Sequence, residues 1–351
     1  MYLKNVKTFA IIIEKENWGM IMVTIKDIAK KLGISYTTVS RALNGKPGVS
    51  QETVEKVLKE ARKMGYQPNA IARGLVKKYT NTIGLVIADI TNPYYPSIAR
   101  GVEDAARKIG YNVFLCNTNY NKENEQSYLK TLQEQRVDGI IINPAKDDSP
   151  NVYDLQTPMV LINSPSYGGN NSTIEVDNKR GGFLATEHLI KSGYKRIAFI
   201  GGDIASYSNG RRFEGYKEAL KEYNYPVDES IIAYGSFKTK SGYAIIERLL
   251  KLENPPDAVF AGNDVIALGI LHYAQDKGIK VPEDFGVVGF DNVGFSELPQ
   301  IQLTTIDQPK YYIGKLAFEI LMEEIRNKEE RFVKKIVLEP ELVIRKTTRG
   351  K

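Results

Sequence analysis

Between residues 24 and 64 the apolar side chains recur every three or four positions in three short blocks, the spacing of helices that bury one face. Thr24 stands before the first block as an N-cap, with Asp27 in the first turn and Lys30 and Lys31 in the last, each of the sign the helix dipole favours. Gly33 supplies the stop, because glycine reaches left-handed dihedrals at little cost. Ser35 caps a second helix over 36–43, and Ser50 caps a third that ends at Gly65-Tyr66-Gln67-Pro68. Ile28, Ala29 and Leu32 are expected to pack on Val39, Ala42 and Leu43, the two alanines letting the helices approach closely at a sharp angle: a helix-turn-helix. After Pro68, residues 69–76 read as a fourth helix of about two turns, below the length that is stable alone in water, and Gly74 weakens it further. The segment is either a hinge helix that needs a partner or an ordinary linker.

From Thr82 the period changes. Apolar runs at 83–88, 111–117, 139–143 and 159–163 alternate with amphipathic stretches at 95–109 and 123–135. The pattern restarts at 196–202, with strands at 231–234, 258–261 and 286–290 and helices at 211–223, 239–252 and 265–277. Continuous apolar strands between amphipathic helices imply parallel sheets covered on both faces. Ile109-Gly110-Tyr111 and Ser192-Gly193-Tyr194 each precede a strand, a weak internal echo of two similar lobes. The stretch 334–345 alternates around Glu339-Pro340 and reads as terminal strands.

Composition sharpens this picture in one place. The 351 residues carry 48 Lys plus Arg against 42 Asp plus Glu, a formal charge of +6, but twelve of the basic residues and only four of the acids fall within 22–78. That segment is +8, residues 1–21 are +1, and the rest is −3. A basic head on a slightly acidic body is the asymmetry of a nucleic-acid binder, and its salt dependence should belong to 22–78 alone. A hydrophobic content of 42% excludes a chain disordered throughout. The single cysteine, Cys116, cannot make an internal disulfide, and no run approaches the roughly 18 apolar residues that span a bilayer. The expectation is a reduced, cytoplasmic protein with no membrane segment. Residues 1–21 read as a loosely attached extension, since Phe9–Ile13 is too short for a signal-peptide core and Met20 and Met22 offer internal starts.

On the second helix Tyr36 and Ser40, and Thr37 and Arg41, are i,i+4 pairs on one outer strip. A polar strip with one arginine suits a recognition helix in the major groove, where a guanidinium can bind guanine O6 and N7 together. With Thr24, Ser35, Thr38 and Asn44 beside them, these residues make up the expected DNA-contacting set of the head.

At this point the chain resembles the LacI family of bacterial repressors. The resemblance is carried by Val23-Thr-Ile-Lys-Asp-Ile-Ala, by Thr38-Val-Ser-Arg-Ala-Leu-Asn-Gly and by Gly65-Tyr-Gln-Pro-Asn-Ala-Ile-Ala-Arg-Gly-Leu, and it continues over the rest of the chain. It implies an all-α helix-turn-helix DNA-binding head on an α/β body like the periplasmic binding proteins, with two doubly wound parallel-sheet lobes. The expected division is 22–68 for the head, 69–81 for hinge helix and linker, and 82–351 for effector binding and dimerisation. Because the family interleaves its lobes, the N-lobe is expected at about 82–178 and 309–335 and the C-lobe at about 179–308 and 336–351. The resemblance further implies a homodimer on a palindromic operator, paired hinge helices in the minor groove with Asn69 and Ala72 in contact, and Leu75 wedged into the central base step. An apolar wedge offsets partial unstacking by letting bent DNA meet more protein.

Ligands of open α/β sheets bind at the carboxyl ends of strands. Those ends carry Asp89, Asn92, Tyr94, Tyr95, Arg212, Phe237, Asn263, Asp291 and Gln308. An acid, a guanidinium and amides can satisfy vicinal hydroxyls, and aromatic rings can cover the C–H faces of a sugar. Blander roles stand beside these: Asp264 as a cap for the helix after it, and Arg212 as a partner of Glu214 or Asp203. The resemblance places Arg212, Asn263 and Asp291 at effector-contacting positions. It places Asn92, Tyr94, Tyr95, Phe237 and Gln308 at positions used by ribose-binding relatives. Those relatives carry an Asp-Arg pair where this chain has Asn163-Ser164, which counts against ribose itself. A small sugar-like effector is expected, with no cofactor and no metal.

Other classes fit less well. No G-x-S-x-G, Walker A or H-E-x-x-H occurs, so an enzyme is not expected. His188 and His272 fall in predicted helices with no Cys or second His nearby, which points to structural roles. A sugar-binding module with no DNA role would fit the body, but the basic head argues against it. A catabolite control protein, whose corepressor is a phosphorylated phosphocarrier protein, is the alternative within the family. Gly289-Phe290-Asp291-Asn292 resembles that subgroup, and the helix at 313–326 does not carry its signature.

Overall fold

The computed structural model describes residues 23–66, 79–145, 156–164, 171–327 and 333–350. Residues 1–21 and the hinge positions Asn69, Ala72 and Leu75 lie outside the described residues. The chain divides into two compact units, up to Lys77 and from Lys78 onward.

The first unit holds helices α1 (Ile25–Leu32), α2 (Tyr36–Leu43) and α3 (Gln51–Lys63). Thr24 and Asp27 form a reciprocal capping box, and Gly33 ends α1 at φ 66°. Ser35 and Ser50 accept the backbone N–H of Thr38 and Thr53. Ile28, Ala29, Val39, Ala42, Val57 and Ala61 form the core, with Leu32 and Leu43 packed at its edge.

The second unit contains two six-stranded sheets. In chain order its elements are β1 (Thr82–Ile87), α4 (Tyr94–Lys108), β2 (Asn112–Asn117), α5 (Lys122–Glu134), β3 (Gly139–Ile142), β4 (Met159–Ile162), β5 (Ser172–Val176), α6 (Asn178–Lys191) and β6 (Ile197–Gly201). There follow α7 (Tyr207–Glu222), β7 (Ile232–Tyr234), α8 (Thr239–Leu249), β8 (Ala258–Ala261), α9 (Asp264–Lys277), β9 (Gly286–Asp291), β10 (Thr304–Asp307), α10 (Lys310–Arg326), β11 (Lys335–Leu338) and β12 (Glu341–Val343). The first sheet runs β11-β5-β4-β3-β1-β2, all parallel. The second runs β12-β10-β9-β8-β6-β7, parallel except for β12.

Alternate side chains of each strand enter different cores, as the pleat requires. Leu85, Ile141 and Ile162 face α4 and α10, while Val86, Ile140 and Leu161 face α5. In the second sheet Ile200 and Val259 face α8 and α9, while Phe199 and Phe260 face α6 and α7. The chain leaves the first lobe after β5, returns to it at α10 and β11, and ends in the second lobe at β12.

Three helix pairs are joined by reciprocal glycines. A Cβ on Gly101 would lie 2.1 Å from the Tyr311 carbonyl oxygen, and one on Gly314 2.0 Å from that of Ile98, which pins α4 to α10. Gly182 and Gly215 do the same for α6 and α7, and Gly242 and Gly269 for α8 and α9.

Two elements depart from the sequence reading. Helix α7 starts at Tyr207, a full turn before the expected 211, because Ser206 caps it by accepting the N–H of Asn209. Strand β5 (Ser-Thr-Ile-Glu-Val) was not expected. Its Ser172 and Thr173 are buried polar residues, and they read as loop until the Ser172 hydroxyl is seen to accept the N–H of Lys334 before β11.

Candidate functional site

In the head, α2 presents its polar strip outward. Tyr36 is 53% exposed, Thr37, Arg41 and Asn44 are exposed, and Thr38 and Ser40 are half-buried. Three residues of the expected contact set are also engaged in caps: Thr24 in the α1 box, Ser35, whose hydroxyl lies 2.8 Å from that of Thr38, and Asn44 at the end of α2. Asn44 donates to the Ser40 carbonyl at 2.7 Å, closing the helix end. A rigid three-helix core thus holds a hydrogen-bonding surface on a single turn-and-helix edge.

In the body, strand ends from both lobes surround a cavity of about 80 Å³. A single water needs roughly 10–15 Å³ by this measure, so several fit. Asn92, Tyr94, Tyr95, Arg212, Phe237, Asn263 and Asp291 are on its wall. Asp89 is not: its Oδ1 turns back to accept the N–H of Thr91 at 2.9 Å and the Thr91 hydroxyl at 2.6 Å. Gln308 is not on the wall either but stands directly behind it, donating to Asp291 Oδ1 at 2.6 Å.

Arg212 is buried and held on four sides. Its Nε donates to Asn178 Oδ1 at 2.8 Å, one terminal nitrogen donates to the Gly262 carbonyl at 2.5 Å, and the other lies 3.6 Å from Asp291. Its guanidinium stacks 3.7 Å from the Phe290 ring centroid. The expected alternative partners are not used, since Glu214 pairs with Arg211 and Asp203 accepts the N–H of Ala205. Burial lowers the Arg212 pKa, with Asp291 opposing. Burial also raises Asp291 to about 6, against the pull of Arg212 and Lys310.

A hydrogen-bond chain runs from one lobe to the other. Asn163 donates to the Tyr94 hydroxyl at 2.8 Å, and Tyr94 donates to Gln308 Oε1 at 3.4 Å. Tyr95 donates to Asn143 Oδ1 at 2.8 Å. Tyr120, at φ 57°, stacks on Phe237 with centroids 5.9 Å apart, so one ring from each lobe meets at the cavity. Burial pushes the Tyr120 hydroxyl up to about 12.

Asn263, rather than Asp264, caps α9, its side-chain oxygen accepting the N–H of Ile266 at 2.9 Å. Its Nδ2 and the Oδ1 of Asn163 are buried without a partner, and both residues line the cavity. Buried polar atoms are rarely left unpaired, so these two are open to a ligand. Asp264 lies underneath, accepting from Val293 N at 2.9 Å, Ser296 Oγ at 2.6 Å and Thr305 Oγ1 at 2.5 Å. His188 is half-buried with its Nε2 2.8 Å from Thr348 Oγ1, and burial lowers its pKa. Among the described residues no group of three His, Cys, Asp or Glu could hold a metal, and no helix is long and apolar enough to cross a membrane.

Tyr120 and Asn143 also line the cavity and are absent from the expected set, as are Asn163 and Ser164, which the sequence reading weighs only as the departure from ribose-binding relatives. Tyr120 and Asn143 follow β2 and β3, so the carboxyl-end rule that found Asn92 would have found them. Ser206, Tyr207 and Ser208 were out of reach once α7 was expected to start at 211.

Comparison with known proteins agrees with this architecture. Residues 24–69 match the family described as bacterial regulatory proteins, lacI family. Residues 80–344 match periplasmic binding proteins and the sugar binding domain of the LacI family. Catabolite control protein A of Priestia megaterium is 40% identical over 311 residues, covering 88% of this chain and 93% of that protein. The HTH-type transcriptional repressor PurR of Haemophilus influenzae (strain PittEE) is 36% identical over 337 residues, covering 94% and 99%. The structure of the Lac repressor dimer bound to operator and the anti-inducer ONPF superposes with a TM-score of 0.82 at 27% identity, covering 94% of this chain and 100% of that one. The fold is therefore a LacI-type head with a periplasmic-binding-like body, and this chain belongs to the LacI family of bacterial transcriptional regulators.

Proposed function

We propose that the protein is a repressor that binds a palindromic operator as a homodimer, with its DNA affinity set by a small, hydroxyl-rich, sugar-like effector in the cavity between the lobes. The observation that carries the effector reading is the junction of Arg212 from α7 with Asn263 and Asp291 at the ends of β8 and β9, with the Asn263 amide nitrogen buried and unpaired. Acid, guanidinium and amide together meet both the donor and the acceptor of a hydroxyl pair. The dimer reading draws on the Lac repressor dimer and on β2, an edge strand with Phe114 and Leu115 each 47% exposed. In this reading α2 enters the major groove, while Asn69, Ala72 and Leu75 act in the minor groove. Effector and operator must then change each other's affinity by the same factor.

Gel retardation on a palindromic operator library tests the DNA half. Arg41→Ala is expected to weaken specific binding by roughly 1–3 kcal/mol while leaving nonspecific binding nearly intact. An absence of sequence-selective retardation at moderate salt would remove the repressor reading. A thermal-shift screen of pentoses, hexoses, sugar phosphates and nucleosides tests the effector half, since a ligand at 100 times its Kd adds about 2.7 kcal/mol. Arg212→Ala should abolish the shift with operator binding kept, and a variant that still responds would take Arg212 out of the site.

The 40% identity to catabolite control protein A supports a second reading, with a phosphorylated phosphocarrier protein as corepressor. Adding that phosphoprotein to the retardation assay separates the two, because only the second reading expects tighter retardation without a sugar.

A further inference from the structure

Lys310 opens α10, at the point where the chain passes from the second lobe back to the first, and its side chain is only 11% exposed. Its ammonium donates to the carbonyl oxygens of Asn292 and Gln308 at 3.0 Å each and to that of Asp291, and lies 3.3 Å from Asp307 Oδ1. These oxygens belong to two separate pieces of chain. One is the turn after β9, which sends Val293 and Phe295 into the core of the first lobe. The other is the passage from β10 into α10.

The turn needs such a tie. Asp291 stands at φ 110° and Asn292 at φ 47°, a region where L-residues persist only when their surroundings enforce it. The enforcing contacts come largely from the second piece. Lys310 takes two of the turn's carbonyls, Asp307 accepts from Asn292 Nδ2 at 2.8 Å, and Gln308 holds the Asp291 carboxylate. Asp291 is also the acid on the cavity wall.

We propose that Lys310 is a positioning residue: it sets how Asp291 faces the cavity and makes the two connections move as one, so that the state of the cavity and the angle between the lobes are tied. The inference rests on reading the cavity as the effector site. Closure about a few connecting residues is a general mode of two-lobed binding folds, and an ammonium shared by two connections is a direct way to couple them.

The test uses the full chain with spin labels on Lys130→Cys and Lys240→Cys, one in each lobe and both exposed, in a Cys116→Ser background, diluted with excess unlabelled protein so that a labelled protomer pairs with an unlabelled one and only the distance within a protomer is read. The interlobe distance is measured without ligand in otherwise wild-type protein, in Lys310→Met, and in Lys251→Met as an exposed control. A single narrow distance is expected for wild type and control, and a broadened distribution with a second, longer distance for Lys310→Met. Lys310→Gln, which keeps a donor for part of the cluster, should fold if methionine does not, and should broaden the distribution less. A single narrow distance in every Lys310 variant that folds would overturn the proposal and leave Lys310 as an ordinary structural lysine. Because no ligand is present, a ligand screen that finds nothing would count against the effector site and not against this coupling.

Discussion

Asp264→Ala is expected to lower the unfolding free energy of the body by roughly 3–5 kcal/mol, the sum of stranding three buried donors at about 1–3 kcal/mol each with some relaxation. Asp264 has no exposed surface. It accepts from Val293 N, Ser296 Oγ and Thr305 Oγ1, so one carboxylate holds β10 and the turn after β9 to the start of α9. Denaturant titration of the full chain, following the body's transition, measures the loss. A change under about 1 kcal/mol, the size of an ordinary surface substitution, would show that the three donors find other partners.

The same residue predicts a pH slope. Burial raises Asp264 to about 7, with the neighbouring Asp291 adding to it, and burial raises Asp291 to about 6. Both values lie above the ordinary carboxylate value, so the folded state holds these protons more tightly than the unfolded chain does. Their stabilising contribution is complete below pH about 4 and is lost as pH rises through about 6 and then 7. The body should therefore be less stable at pH 8 than at pH 5 as far as these two acids govern it. Asp264→Asn, which keeps an acceptor oxygen and cannot ionise, should flatten much of that slope. An unchanged slope would place the titration elsewhere.

Gly215→Ala is the second large effect. The added Cβ would sit 1.9 Å from the Lys179 carbonyl oxygen and 2.6 Å from the Phe183 nitrogen, both backbone atoms that no side-chain rotation can move. Helices α6 and α7 must separate, and overpacking of this kind costs about 1–3 kcal/mol or more. Helix propensity, which favours alanine by about 1 kcal/mol, offsets part of it. The damage should also reach the cavity, because α7 carries Arg212, the start of α6 carries Asn178, and these two residues hydrogen-bond. Gly210→Ala in the same helix is the control. A Cβ there meets nothing within 4 Å, so that variant should be neutral or slightly stabilised. Equal behaviour of the two variants in thermal unfolding would refute the role given to the glycine pair.

Much of this molecule is written locally. The head follows from three caps, one glycine and a helical period, and the parallel strands follow from uninterrupted apolar runs. Strand β5 escaped because its signal is not apolar. Its Ser172 is buried to meet Lys334, a partner 162 positions away. The cavity wall was legible at polar residues on or just past a strand end, as with Asn263 and Asp291, although Asn143 meets the same rule after β3 and was not in the expected set. Asp89 satisfied the same rule and still turned away, since a carboxylate two residues before a threonine can close a local turn. The reciprocal glycines lie outside any such rule, because each matters only for the helix it happens to cross.

The return of α10 and β11 to the first lobe has a consequence for biosynthesis. Helix α4, completed by residue 108, packs on a helix that begins at residue 310, and β5 finds its outer neighbour only at residue 335. As the chain leaves the ribosome, domains generally fold N-terminal first. Here the N-terminal lobe must wait with Ile98, Val102 and the β5 edge uncovered until some 200 further residues have emerged, an interval that at about 5–20 residues per second lasts tens of seconds. The second lobe has all its strands but β12 by then, so the lobe encoded first is finished almost last.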